Sequence, residues 1–580
     1  MAGDNNTSEI YQGGYSSLSP KYGSIFTNYR VNPRTLGMTT DPRTANIVKD
    51  AATKFHTGAR HIEVSAVSPE VFESIPNEQL KEMNRLSKLV GATVSVHGPI
   101  LEPSGLTKEG FSESNRQGVE RQMISAVQRS HLVNPDESIP VTFHSSASLQ
   151  DIIPEKGKTA EGVMVIMPES GKYGLIPIKE RTFPGEGKKA DAKEEIERYN
   201  REHWLENIDQ LGQRVKMIGD EITKPEITTI LSEAEKRANK ELTEEEIKAE
   251  KQFLRSATYL NSSYGDLKQL FESAEVNCSD IEKERINQFY KEIESKAKEI
   301  NKNPKEIKSA LIMREILDDG IEVLKELNPK IIVDMNEFTK DKAAETISNV
   351  ALKSYKEFKD KAPFLSIENP PAGGAFGRGE DLRGMIEEAR KKFTEKAVKG
   401  GMKEADAKKA AEKMIGITWD VGHINMIRKY GYESEDIVKE TEKVAPFVKH
   451  IHLSDNFGLD HTELPMGMGN VPVKEILEKL GKEGFDAKKI IEAGNWWQHF
   501  QTPPFKETLE AFGSPIYSMN MAPYWNQNLG FQQDYSSGYG QMLPQTNYEM
   551  FGAGFSRLPM ELGGQKGGAE GNRMSGRPME

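Results

Sequence analysis

A (β/α)8 barrel with a long helical insertion between its fourth strand and fourth helix is the fold class this sequence predicts. Three observations point to it. Short apolar runs alternate with helical stretches four times before about residue 150, and the alternation resumes four more times after about residue 338. Nearly every apolar run also ends in histidine, aspartate or glutamate. Alternating β and α segments build a parallel sheet, and eight such units close it into a barrel.

Taken in order, Thr35–Thr40 (T-L-G-M-T-T) reads as the first strand. Asp41 is expected to cap the next helix, with Pro42 in its first position, where a missing N–H costs nothing. Arg60–Val67 is a second strand, and the chain from Ser68 reads as one helix stopped by Gly91. Ala92–Ile100 is a third strand, Gly118–His131 a helix, and Ile139–Ser146 a fourth strand. The alternation then breaks. V-M-V-I-M-P-E-S-G-K-Y-G-L-I-P-I, within Glu161–Arg181, predicts a hairpin around a Glu-Ser-Gly-Lys turn. From about Ala190 to Leu327 the chain is Lys- and Glu-rich with helical spacing, an inserted subdomain whose charged faces are either solvated or bind a protein partner.

A helix over Lys340–Phe358 restarts the alternation. It leads to a fifth strand, Phe364–Pro371, whose last polar residue is Glu368, then to a Gly-rich rim loop, A-G-G-A-F-G-R-G-E-D-L, expected to be flexible. Helical sequence follows to about Lys413. I-G-I-T-W-D-V-G-H (Ile415–His423) and V-K-H-I-H-L-S-D (Val448–Asp455) are the sixth and seventh strands, and K-K-I-I-E-A-G-N (Lys488–Asn495) the eighth, with helices between them and after them. The expected organisation is a disordered arm over 1–33, a barrel over 34–150 and 338–513, an insert over 151–337 and a low-complexity tail over 514–580. The tail is rich in Gly, Tyr, Asn and Gln with few branched aliphatics, so disorder is its default. Its aromatics could stack on a base, but it has few cations to hold a phosphate backbone.

The formal net charge of -12 disfavours a generic polyanion binder, though not a local basic groove. The single cysteine, Cys278, excludes an internal disulfide and a cysteine-rich zinc module. No apolar run approaches the ~20 residues that span a bilayer, and the N-terminus does not read as a secretion signal. The expectation is a cytoplasmic protein without membrane contact.

In this fold, catalytic groups sit where strands end. Those ends carry Glu63, His97, His144, Glu368, Asp420 with His423, His452 with Asp455, and Glu492, and the loop after the seventh strand adds His461 and Glu463. Five of the eleven histidines fall on this rim. A lone histidine ending a strand is more often a hydrogen-bonded structural residue than a ligand. Imidazoles and carboxylates converging without cysteine suit Zn²⁺ or Mn²⁺, and this many exceed what one ion can use.

The strand ends V-H-G-P, F-H-S-S, I-E-N-P-P-A-G-G, W-D-V-G-H, H-I-H-L-S-D and I-I-E-A-G together resemble the xylose-isomerase-like barrel superfamily. Within it the pattern looks most like endonuclease IV, the AP endonuclease family 2 of trinuclear zinc enzymes that cleave DNA beside abasic sites. The resemblance runs over about Leu36–Phe512 apart from the insert. It implies His97 and His144 on one ion, Glu368 bridging to a second, and Asp420, His452 and Glu492 around the buried part, with His423 and the loop on a third. In that loop the family has Asp-x-His where this chain has His461-Thr462-Glu463, so either His461 with Glu463 or, after a shift, Asp460 with His461 completes the site. Two or three Zn²⁺ ions, or Mn²⁺, are implied, with DNA containing abasic sites as substrate.

The implied reaction is phosphodiester hydrolysis by a metal-activated water, with Glu368 or Glu492 as general base if not fully engaged as a ligand. Arg378, Arg428 and Lys429 are candidates to receive phosphates, or are plain surface charges. The superfamily's sugar isomerases and epimerases offer an alternative. They need one metal, and Glu368, Asp420, His452 and Glu492 match them for proton transfer on a small sugar. His97 together with His144 favours the hydrolase.

Overall fold

The computed structural model describes residues 35–512 except 43, 45, 66, 67, 148, 159, 179–190, 223, 236–242, 303–306 and 501. The arm and tail expected at 1–33 and 514–580 lie outside the described residues. The described residues fall into two compact units, one made of 35–160 with 336–512 and the other of 161–335.

The first unit is a closed barrel of eight parallel strands. These are β1 Leu36–Thr39, β2 His61–Ser65, β3 Thr93–His97, β4 Pro140–His144, β5 Phe364–Glu368, β6 Ile415–Asp420, β7 Val448–Leu453 and β8 Lys488–Ile491. Each pairs with its neighbours in sequence order, and β1 closes the ring on β8. All eight strands expected from the apolar runs are present.

Alternate residues of a strand point to opposite faces, and here the two faces differ in chemistry. Ile62, Val64, Val94, Val96, Val141, Phe143, Leu365, Ile367, Ile417, Trp419, Ile451 and Leu453 are buried. They form the outward set under the helices, where the Trp419 indole donates to Thr441 Oγ1 on helix Ser434–Val444 at 3.1 Å. The intervening residues face inward and are polar. Thr418 Oγ1 donates to Ser366 Oγ at 2.7 Å and lies 3.0 Å from Thr142 Oγ1, and Ser95 Oγ donates to Glu63 Oε2 at 2.9 Å. The barrel is thus lined with hydrogen-bonding groups instead of the branched aliphatic layers common to this architecture.

Several helix boundaries differ from expectation. Asp41 is not a cap: with Pro42 it forms a turn closed by Thr44 N to Asp41 O at 3.3 Å, and the helix Ile47–His56 starts at Asn46, whose side chain accepts from Lys49 N. Proline suits a turn as well as a first helical position, and the turn prevails. The segment after Ser68 is two helices, Pro69–Ser74 and Asn77–Val90, because Pro76 cannot donate and holds Ile75 extended at ψ 120°. Gly91 ends the second in the left-handed region, φ 64°, as its lack of a side chain allows. Helices Glu113–His131 and Met335–Phe358 each begin five residues earlier than read. The Gly-rich rim loop is packed: Ala372, Ala375 and Phe376 are buried, and Ala375 N donates to Leu149 O at 2.9 Å.

The second unit contains the expected hairpin, Gly162–Ile166 against Tyr173–Pro177, extended by Val333–Asp334. Its helices, among them Ala192–Ile222, Glu244–Asn277 and Ile307–Glu326, bury Trp204, Leu211, Phe253, Leu260, Phe271, Phe289 and Ile316 in a core of their own. No helix of the described residues is long and apolar enough to cross a membrane.

The rim is tightly built where β6 turns into helix Val421–Asn425. A Cβ on Gly422 would sit 2.1 Å from Ser454 Oγ and 2.7 Å from Ser454 O. Gly422→Ala is therefore expected to destabilise the protein by about 1–3 kcal/mol, read as a lowered melting temperature. An unshifted melting curve would show that this rim can open without cost.

Candidate metal centre

Backbone geometry aims each rim side chain. Asp420 ends β6 and caps the next helix, its Oδ1 accepting from Gly422 N at 2.7 Å and His423 N at 2.8 Å, which folds His423 back over the barrel mouth. Asn369, just after β5, grips β6 twice: Oδ1 accepts from Asp420 N at 2.8 Å and Nδ2 donates to Asp420 O at 3.0 Å. Its carbonyl lies 2.7 Å from His423 Nδ1. Glu492 follows β8, with its N–H donating to Leu453 O at 2.9 Å.

Glu368 is the hub. Its Oε2 lies 3.1 Å from His97 Nε2 and 3.4 Å from His144 Nε2, and its Oε1 lies 2.8 Å from His452 Nδ1 and 3.8 Å from His423 Nδ1. Glu492 Oε1 is 3.1 Å from the same His452 nitrogen. Two overlapping donor groups result: His97, Glu368, His452 and Glu492 within 4.8 Å of one another, and likewise Glu368, Asp420 and His423. On the outer side His423 Nε2 and His461 Nε2 face each other at 2.8 Å, with Glu463 Oε1 3.7 Å from His461 and Asp420 Oδ2 3.8 Å from His423.

These residues fit metal ions by their own chemistry. Asp420 Oδ2 is buried without a hydrogen-bond partner, a costly state that a cation would relieve. His97 Nδ1 lies 2.9 Å from Gly98 O, so in both His97 and His423 a backbone carbonyl accepts from Nδ1–H, which leaves the Nε2 lone pair for the cluster. Two ring nitrogens at 2.8 Å, one of them a lone pair, need a proton or a cation between them.

The electrostatics agree. Burial works against the Glu368 charge, yet His452 and His144 hold its carboxyl well below the usual range. Burial likewise opposes the His97 charge, but the hydrogen bond and charge of Glu368 carry it up to about 9. His452 is raised well above its ordinary value against its burial, by Glu368, Glu492 and Glu63. Burial, then the charges of Glu492 and Glu368, raise Asp420 well above the carboxylate range and push Glu463 up to about 7. His423 is driven down to about 3 by burial and by His461. Without metal, protons occupy the places that cations would take.

The structure gathers His97, His144, Glu368, Asp420, His423, His452, Glu492, His461 and Glu463 at one mouth. Asp460 is exposed, and His461 with Glu463 faces His423. Asp455 is a loop clamp: its carboxylate accepts from Asn456 N at 2.9 Å, Gly467 N at 2.8 Å and Val471 N at 3.1 Å. Arg378 pairs with Glu440 at 2.7 Å and lies over Tyr432. Arg428 donates to Asn425, Ser434 and Asn470, and Lys429 lies over Tyr430. A third donor group, Glu63 with His450 and His452, was not expected as a site. The signal was available: H-I-E-V-S and K-H-I-H-L place a second polar residue two positions along the same inward face.

Residues 314–512 match the family model described as xylose isomerase-like TIM barrel. An uncharacterised protein of Methanocaldococcus jannaschii is 37% identical over 83 residues, 14% of this chain and 27% of that protein, so the alignment spans about a quarter of that relative. A solved structure of a D-tagatose 3-epimerase-like protein aligns with 12% identity over 84% of this chain and 99% of its own, at a TM-score of 0.38.

Proposed function

We propose that this chain, whose residues 314–512 match the xylose isomerase-like TIM barrel model, is a multinuclear metal-dependent phosphodiester hydrolase of endonuclease IV type. Abasic sites in DNA are the substrate to test first, and zinc the metal, with manganese as the second choice. One observation carries the reading: Glu368 has imidazole nitrogens against both of its oxygens, as a carboxylate bridging two ions would.

Ions held there would supply Lewis acidity, making a water nucleophilic near neutral pH and neutralising charge on a phosphate. His97 and His144 would hold one ion with Glu368. Asp420, His452 and Glu492 would serve the buried side, and His423, His461 and Glu463 the outer one. Glu492 keeps partial access to solvent, its side chain 16% exposed, so it can take a proton from an incoming water. Arg378 and Arg428 already have partners in the protein, so phosphate would compete with them.

A second reading has its own support. Glu368, Asp420, His452 and Glu492 suffice for one ion, the donor set of a sugar isomerase or epimerase, and the formal charge of -12 suits a small neutral substrate better than DNA. Elemental analysis separates the two. The hydrolase reading expects two or three equivalents of zinc per chain, and cleavage of a duplex with one abasic site that chelator abolishes. One equivalent, retained in His97→Ala and His144→Ala, would sink that reading and promote the isomerase.

A further inference from the structure

Beneath the rim the centre rests on a buried layer that the proposed chemistry does not use. Glu63, on β2, is fully buried inside the barrel. Its Oε2 accepts from Ser95 Oγ at 2.9 Å and lies 3.1 Å from His450 Nε2, while its Oε1 lies 3.2 Å from His452 Nε2, these last two atoms being buried without another hydrogen-bond partner among the described residues. Ser95 Oγ is in turn 3.1 Å from His61 Nε2, whose Nδ1 is 2.7 Å from Thr93 Oγ1. His452 therefore stands between carboxylates on both sides, with Nδ1 toward Glu368 and Glu492 and Nε2 toward Glu63.

A neutral imidazole has one N–H and one lone pair, and only the lone pair binds a metal. At His97 and His423 a backbone carbonyl decides which nitrogen that is, and Nε2 faces the cluster. His452 is mounted the other way round, so the same decision falls to Glu63. We propose that Glu63 is a positioning residue that keeps the His452 proton on Nε2, so that Nδ1 offers its lone pair to an ion shared with Glu368 and Glu492. This rests on reading the rim as a metal centre. A carboxylate behind a ligating imidazole fixes the ring and raises its basicity. Glu63 can do both because Ser95 and His450 hold its other oxygen, so the carboxylate is anchored before the ion arrives.

The same geometry excludes Glu63 as a ligand of that ion, since the imidazole ring lies between them. The expected result is therefore a change in affinity and not in number. In the full chain, Glu63→Gln should leave the zinc stoichiometry at saturation unchanged. It should weaken one equivalent by about 10–100-fold in competition against a chromophoric chelator. The melting temperature of the chelated variant should stay near that of the chelated parent, and Glu63→Asp, which restores the charge, should recover part of the affinity. Should Glu63→Gln fail to fold, Ser95→Ala loosens the same carboxylate and is expected to weaken the same equivalent by less. Unchanged affinity for every equivalent overturns the proposal. So does outright loss of one equivalent with the others unaffected, because Glu63 would then be a ligand itself. The parent's stoichiometry and its cleavage of abasic DNA test the function; the ratio of affinities between parent and variant tests Glu63, with one ion bound or three.

Discussion

Glu368→Gln is expected to strip the centre of all but one ion at most. An amide has one oxygen acceptor, and its NH2 group turns a donor toward whatever stands on the other side. In the parent both Glu368 oxygens are engaged by imidazoles, His97 and His144 on one and His452 on the other. The substitution thus removes a bridge and the negative charge that balances up to three imidazoles. Bound zinc should fall to at most one equivalent, and cleavage of an abasic duplex by roughly a thousandfold, the scale on which losing preorganised electrostatic groups is felt. Two or more equivalents retained with a near-parental rate would rule out the bridging role.

The second large effect is a pH-dependent stabilisation by metal. His97 titrates at about 9 in the folded, metal-free chain against an ordinary 6.5, and Glu463 at about 7 against 4.5. Asp420 and His452 are raised in the same sense. Each group binds its proton more tightly folded than unfolded. Its stabilisation of the metal-free form is therefore complete below the unfolded pKa and lost as pH rises through the folded one, from 4.5 to about 7 for Glu463 and from 6.5 to about 9 for His97. A cation that displaces those protons gains affinity over the same window. The melting-temperature difference between zinc-loaded and chelated protein should grow from about pH 6 to about pH 8.5 at fixed free zinc. Groups remote from the cluster titrate alike in both forms and cancel, among them Lys449, pushed down to about 7 by burial and by Arg390. A difference that stays flat would mean that metal and these protons do not compete.

Most of this architecture was legible because it rests on period and position. Each strand announced itself as an apolar run, and each rim residue as the polar end of that run, which is why Glu368, Asp420 and His452 could be named before any fold was seen. Capping was less legible, since Asp41-Pro42 serves a turn as well as a helix start. The break at Pro76 could have been read from the proline alone. Asp455 followed the same strand-end rule as His452, yet its carboxylate is consumed by backbone N–H groups of a loop that no strand pattern describes. Glu63 was named as the polar end of its strand, but its place beneath the rim, like that of His450, was obscured for a different reason. A barrel interior is expected to be aliphatic, so a polar layer two positions inside the rim carried no meaning until its partners across the barrel were known.

The donors do not meet water equally. The Glu368, Asp420 and His423 side chains are at most 3% exposed, whereas those of His461 and Glu463 are 34% and 37% exposed. If ions bind as proposed, one held by His461 and Glu463 should exchange with solvent faster than one held against Glu368. A brief exposure to chelator would then yield a partly stripped protein of defined composition, with a vacancy where a substrate phosphate would enter.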